Sequence, residues 1–148
     1  MMVHPTSEIG SEVEIGFDTT IWRWTQICNG VKIGHNCMVG NHCYIGPNVV
    51  IGNNTRIQNG CYIPEGVTIG NNVFIGPHVV FTNDKYPPQS KELWETTIVD
   101  DGVVIGANCT ILPGIRLYGK CVVGAAGVVT KNIAEGQLWC GNPARILL

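Results

Sequence analysis

Four histidines, His4, His35, His42 and His78, are of the side-chain type best suited to proton transfer near neutrality. One amide–acid pair, Asn83-Asp84, heads a polar run that continues through Lys85, Tyr86, Pro87 and Pro88. In that pair an amide can orient a nucleophile by hydrogen bonding and a carboxylate can take its proton. The same two residue types also make an ordinary turn. A zinc site needs its ligands to converge, and His35 and His42 stand seven residues apart with no C-x-x-C pair nearby. The seven cysteines are odd in number and lack zinc-finger spacing.

Composition narrows the partners. Nine Lys and Arg against eleven Asp and Glu give a net charge of −2 with no basic run, which speaks against nucleic acid. No apolar stretch approaches the ~18 residues of a membrane span, and Met1–Gly10 lacks a signal-peptide core. The chain is therefore expected to act in the cytoplasm with no membrane partner. Its 148 residues, 45% of them hydrophobic, suit a single domain with a substantial core.

What must position the polar residues is a repeat. Stepping by six from Ile9 reaches Ile15, Ile21, Ile27, Ile33, Val39, Ile45, Ile51, Ile57, Ile63, Ile69 and Ile75. The fifth position of each hexad is small or β-branched throughout, from Val13 and Thr19 to Val73 and Val79. Fifth and next-first positions lie two apart, so they share one face of a short strand. Glycine, asparagine and proline fill the intervening corner, as in Gly46-Pro47-Asn48. Such units bury their apolar face only by stacking. Cys37, Cys43, Cys61, Cys109 and Cys121 all fall in the small interior slot and are read as compact hydrophobes. Cys28 sits in the usual glycine slot and Cys140 in the tail. The register returns in phase at Val99 and continues through Ile105, Ile111, Leu117, Val123 and Val129. Between them, at about residues 82–98, Pro87-Pro88 breaks the pattern and predicts a loop thrown out of the stack.

Over Ile9 to Ile146 the chain resembles the hexapeptide-repeat acyltransferases. The resemblance implies an all-β fold: a left-handed parallel β-helix with three hexads per coil, one protruding loop and a short C-terminal tail, in one domain spanning residues 1–148. It also implies a homotrimer with active sites between subunits. γ-Class carbonic anhydrases share the repeat, so fold alone does not choose the chemistry; their zinc histidines are commonly five apart rather than seven. Segment Ile105-Gly106-Ala107-Asn108 through Lys131, closed by Gly141-Asn142-Pro143-Ala144-Arg145, resembles the family's coenzyme A groove. Carried over, Gly106, Ala107, Gly124 and Ala125 line it, and Lys131 and Arg145 lie near the phosphates. These glycines and alanines also suit a tight corner.

Segment Ile75-Gly76-Pro77-His78-Val79-Val80-Phe81-Thr82-Asn83-Asp84-Lys85-Tyr86-Pro87 resembles the nucleotide-linked 3-amino-sugar N-acetyltransferases. Sugar O-acetyltransferases usually place a catalytic histidine in the loop; here the loop has none. The implied reaction is transfer from acetyl-CoA to the amine of a nucleotide-linked amino sugar, in cell-surface polysaccharide biosynthesis, with no metal. The alternatives are an O-acetyltransferase or a carbonic anhydrase-like zinc enzyme. Asn83, Asp84 and His78 are the catalytic candidates, and Lys85 and Tyr86 the loop's substrate contacts. With coils of eighteen residues, Trp24, His42, Gly60 and His78 form one outward column, with His42 and His78 about 10 Å apart. The column is either a wall of the substrate cleft, which makes Trp24 and His42 substrate contacts, or packing at a subunit interface.

Overall fold

The computed structural model describes every residue from Met1 to Leu148. Short parallel strands wind into a three-sided left-handed β-helix of about eight turns. Face one begins with Met2–Val3, Thr20–Ile21 and Met38–Val39 and ends at an antiparallel hairpin, Leu138–Cys140 with Arg145–Ile146. Face two runs from Glu8–Ile9 to Val128–Val129, and face three from Glu14–Ile15 to Arg116–Leu117. We call the turns between faces one and two the first corner, between two and three the second, and between three and one the third.

Along each face the partners are eighteen residues apart, as in Arg56 with Phe74. One coil is longer: Phe74 pairs with Val104, thirty residues on. The surplus of twelve residues (30 − 18) is two hexads, so counting by six stays in phase across the insertion; the last coil is shorter, with Val122 and Leu138 sixteen residues apart. The chain leaves at the second corner after Val80–Phe81, makes one 3-10 turn at Lys91–Leu93, and rejoins the stack at Thr97–Val99. The protruding segment therefore ends at Thr96, slightly short of the sequence-based boundary near 98, because Thr97 already occupies the interior fifth position.

The first and fifth positions make one cluster of 31 buried apolar residues. Only at the N-terminal end does the interior open, with Ile9 40% exposed. Fifth-position hydroxyls and thiols perform a second task. Thr19, Thr25 and Thr55 donate to the carbonyls of Gly34, Gly40 and Gly70, and Cys37, Cys61 and Cys109 do the same to Gly52, Gly76 and Gly124. Cysteine here behaves as a threonine-like donor. Burial pushes the Cys37 and Cys109 thiols up and the Cys121 thiol up to about 11.

The corners have their own ladder. An asparagine or aspartate at the third position accepts the backbone N–H of the third position one coil below: Asn29 from Ser11 at 2.9 Å, Asn53 from His35 at 3.0 Å, Asp101 from Asn71 at 2.7 Å. Each reaching side chain passes over a glycine at the second position; a β-carbon on Gly34 or Gly70 would meet Asn53 Oδ1 or Asp101 Oδ1. The fourth position is left-handed in every regular corner, with φ between 54 and 61° for twelve non-glycine residues, Trp24, His42 and His78 among them. No helix is long and apolar enough to cross a membrane.

Candidate active site

At the first corner the asparagine ladder stops. Asn41 accepts from Arg23 N–H at 3.1 Å and Asn59 from Asn41 N–H at 2.8 Å. The third positions above are Pro77, Ala107 and Ala125, whose side chains accept nothing. The backbone N–H groups of Asn59, Ala107 and Ala125 consequently have no protein acceptor. Beside them runs a column of bare glycines. A β-carbon on Gly76 would stand 2.7 Å from Ala107 N, and one on Gly106 2.6 Å from Ala125 N. The corner thus offers a side-chain-free channel edged with unpaired donors. Such donors can hold a carbonyl oxygen of a pantetheine arm or a developing thioester oxyanion. The four groove residues expected from the sequence, Gly106, Ala107, Gly124 and Ala125, are all here.

Arg145 reaches the same end of the molecule. It pairs with Cys140, whose Cβ lies 2.9 Å from the place a Gly124 β-carbon would take. Its Nη1 donates to the Ala144 carbonyl at 2.9 Å. Lys131 stands instead at the second corner, one face away from Ala125.

The expected outward column is present at the first corner, below the channel. Trp24 and His42 stack, ring centroids 5.0 Å apart and planes 26° from parallel. One face of Trp24 is therefore covered by imidazole. The next position is Gly60, and the His78 ring lies down into the space its missing side chain leaves.

Asn83 and Asp84 lie at the second corner, where the loop departs. Asn83 Nδ2 donates to the Glu65 carbonyl at 3.1 Å, and its own carbonyl accepts from Glu95 N–H at 2.9 Å. It clamps both ends of the loop. Asp84 Oδ2 accepts from Gln89 N–H at 2.7 Å, whereas Oδ1 is buried with no protein partner. Glu95 Oε2 and Thr97 Oγ1 are buried and unpartnered beside the same loop. Lys85 and Tyr86 are exposed, with the ammonium 5.8 Å from the ring centroid. Within one chain the candidates therefore split: His78, His42, Trp24 and the groove at the first corner, and Asn83 to Tyr86 at the second, with face two between them. Glu65 and Glu95, which hold the loop's base, went unremarked in the sequence because both look like surface acids.

No group of three or more His, Cys, Asp or Glu side chains converges in a way that would hold a metal ion within the chain.

The repeat itself is shared widely. A family profile described as bacterial transferase hexapeptide (six repeats) matches residues 12–47 and 48–83, and the hexapeptide repeat of succinyl-transferase matches 96–131. A Bacillus subtilis protein named as an acetyltransferase, YvoF, is 36% identical over 84 residues, 57% of this chain. The match spans about half (48%) of that relative's own length. A hexapeptide-repeat acetyltransferase of Vibrio cholerae, solved with acetyl coenzyme A, superposes with TM-score 0.50 at 25% identity, over 95% of this chain and 69% of that one. The GDP-perosamine N-acetyltransferase of Caulobacter crescentus, solved as a mutant with CoA and GDP-perosamine, shares the fold with TM-score 0.68 at 19% identity, over 99% and 57%. Two profiles of one repeat, jointly spanning the stack on both sides of the loop, make this chain a member of the bacterial hexapeptide-repeat transferases.

Proposed function

We propose that this protein is an acetyl-CoA-dependent N-acetyltransferase acting on the amine of a nucleotide-linked amino sugar. The observation that carries the reading is the interrupted ladder at the first corner, where Ala107 and Ala125 leave their N–H groups unpaired beside Gly106 and Gly124. The Vibrio relative is solved with acetyl coenzyme A, and the Caulobacter enzyme with CoA and an amino sugar nucleotide. In the proposed reaction the amine nitrogen attacks the thioester carbonyl, the C–N bond forms and the C–S bond breaks. The proton lost by nitrogen balances the one gained by the coenzyme A thiolate. An amine, partly neutral near pH 8, needs less help than an alcohol, in keeping with a loop that contains no histidine. A 3-amino-3-deoxy sugar is the acceptor we favour, from the Phe81-Thr82-Asn83-Asp84 run, and cell-surface polysaccharide synthesis is the setting.

The proposal includes a homotrimer. His78 and Asp84 occupy different corners of one chain, so the first corner of one subunit must meet the loop of the next for both to touch one substrate. A fully active monomer in sedimentation would remove this part.

The deciding experiment measures thiol release from acetyl-CoA with matched amino and hydroxy nucleotide sugars between pH 6 and 9. The expected result is a preference for the amino sugar and a rate that rises as the amine deprotonates. A preference for the hydroxy sugar, or hydration of carbon dioxide by a zinc-loaded sample, overturns the assignment.

A further inference from the structure

Face two, which separates the two halves of the candidate site, carries an aromatic step. Its outward positions in the central coils are Gln26, Tyr44, Tyr62, Val80 and Thr110, aligned by register. Tyr44 and Tyr62 stack with centroids 5.0 Å apart and planes 11° from parallel. Because the stack follows the coil axis, the free ring face of Tyr62 turns toward the next coil. There the outward residue is Val80, which is short, and Tyr62 remains 44% exposed. The result is a shelf one ring wide, directly below the coil from which the loop departs.

Hydrogen bonding with the Cys28 side chain, at the second corner, is the main cause that pushes the Tyr44 phenol up to about 12, and the Glu65 carboxylate adds to it. Glu65 in turn pairs with Lys91 at 2.8 Å and accepts the Asn83 amide on its carbonyl. Lys91 is 67% exposed, and Lys85 is exposed on the same loop. A flat apolar shelf with the exposed Lys85 and the Glu65-paired Lys91 on the adjoining loop suits a planar base joined to a diphosphate. Trp24, which is also exposed, is less well placed, since His42 covers one of its faces and it lies three coils below the loop level.

We infer that the base of a nucleoside diphosphate stacks on the free face of Tyr62, backed by Tyr44, with its diphosphate directed to Lys85 and Lys91. This deepens the acceptor reading above and rests on it for the identity of the natural ligand. Stacking on an aromatic ring tolerates any base and is worth about tenfold or more in affinity.

The test uses the full chain and titrates UDP, thymidine diphosphate and inorganic pyrophosphate by calorimetry. Valine is the substitution of choice because Val80 shows that it fits this slot. Tyr62→Val should weaken both diphosphates about tenfold or more, leave pyrophosphate unchanged, and be rescued by Tyr62→Phe. Equal affinities in wild type and Tyr62→Val overturn the inference, as does a loss that pyrophosphate shares. A variant that changes sedimentation while keeping its affinities places Tyr62 at a subunit contact, which also overturns it. Should the wild type bind neither diphosphate yet acetylate a simple amino sugar, the shelf falls and the transferase stands. Should diphosphates bind through Tyr62 while no acetyl transfer occurs, the shelf stands and the transferase falls.

Discussion

The His78 imidazole occupies the space that a side chain at Gly60 would need, with Nδ1 and Cε1 its nearest atoms. Trp24 and His42 keep their own side chains in this column, so the gap at Gly60 decides where His78 rests. Gly60→Ala should push the ring outward without touching His78 itself. It also places a β-carbon at φ +73°, at a cost of roughly 1 kcal/mol. We expect Gly60→Ala to reproduce most of the activity loss of His78→Ala with a melting shift of only a few degrees. Full activity in Gly60→Ala beside an impaired His78→Ala would show that the ring's resting place does not matter.

Restoring the ladder should close the channel. In Ala125→Asn the new Oδ1 would accept the Ala107 N–H, as Asn59 Oδ1 accepts that of Asn41. The variant should be as stable as wild type or gain about 1 kcal/mol. Its KM for acetyl-CoA should rise tenfold or more. Unchanged acetyl-CoA kinetics in a folded Ala125→Asn protein would remove the corner from the cofactor site.

Asp84→Ala forfeits the Gln89 N–H bond but almost no core burial, because the loop lies outside the coil stack. Turnover should fall at least tenfold while Tm drops by about 3 °C or less, on the scale of 1 kcal/mol. Asn83→Ala should cost more stability, since it also releases the bond to Glu65. Large melting shifts with intact turnover would make both residues purely structural.

The interior thiols should resist modification. Cys121, pushed up to about 11, has little thiolate at pH 8, and burial shields it, Cys37 and Cys109. Alkylation of the native protein at pH 8, read by mass spectrometry, should label Cys28 and Cys140, which are half-buried, and spare the five interior sites. Cys61→Thr should fold and stay active, because Thr25 makes the same bond at the same corner two coils below. Rapid labelling of Cys121 in folded protein would contradict the packing described.

The core was legible because its rule is local. A residue at Ile45 or Val49 is buried by the hexad to which it belongs, and the period announces it. The bare corner was legible in position and not in cause: Gly106-Ala107 and Gly124-Ala125 stand out as small, but what sets them apart is the absence of an asparagine above each free N–H. That relation links residues eighteen apart and exists only once coils stack. His78 resting over Gly60, and Tyr62 over Tyr44, are relations of the same kind. Glu65 and Glu95 were hidden for another reason, since their partners, Lys91 and Asn83, lie in a loop whose path no period predicts.

The loop adds two hexads to one coil, and Phe74 still pairs with Val104. A segment that leaves its scaffold and rejoins it on the neighbouring face is a cassette. It can lengthen, shorten or be exchanged without turning any later isoleucine from the interior to the surface, because pairing with the coil below sets the register, as it does where Val122 meets Leu138 only sixteen residues on. Descent can therefore revise the segment proposed to face the acceptor and leave the channel above it in register, so that, on the proposed function, new acceptors arise without rebuilding the acyl-donor half of the site.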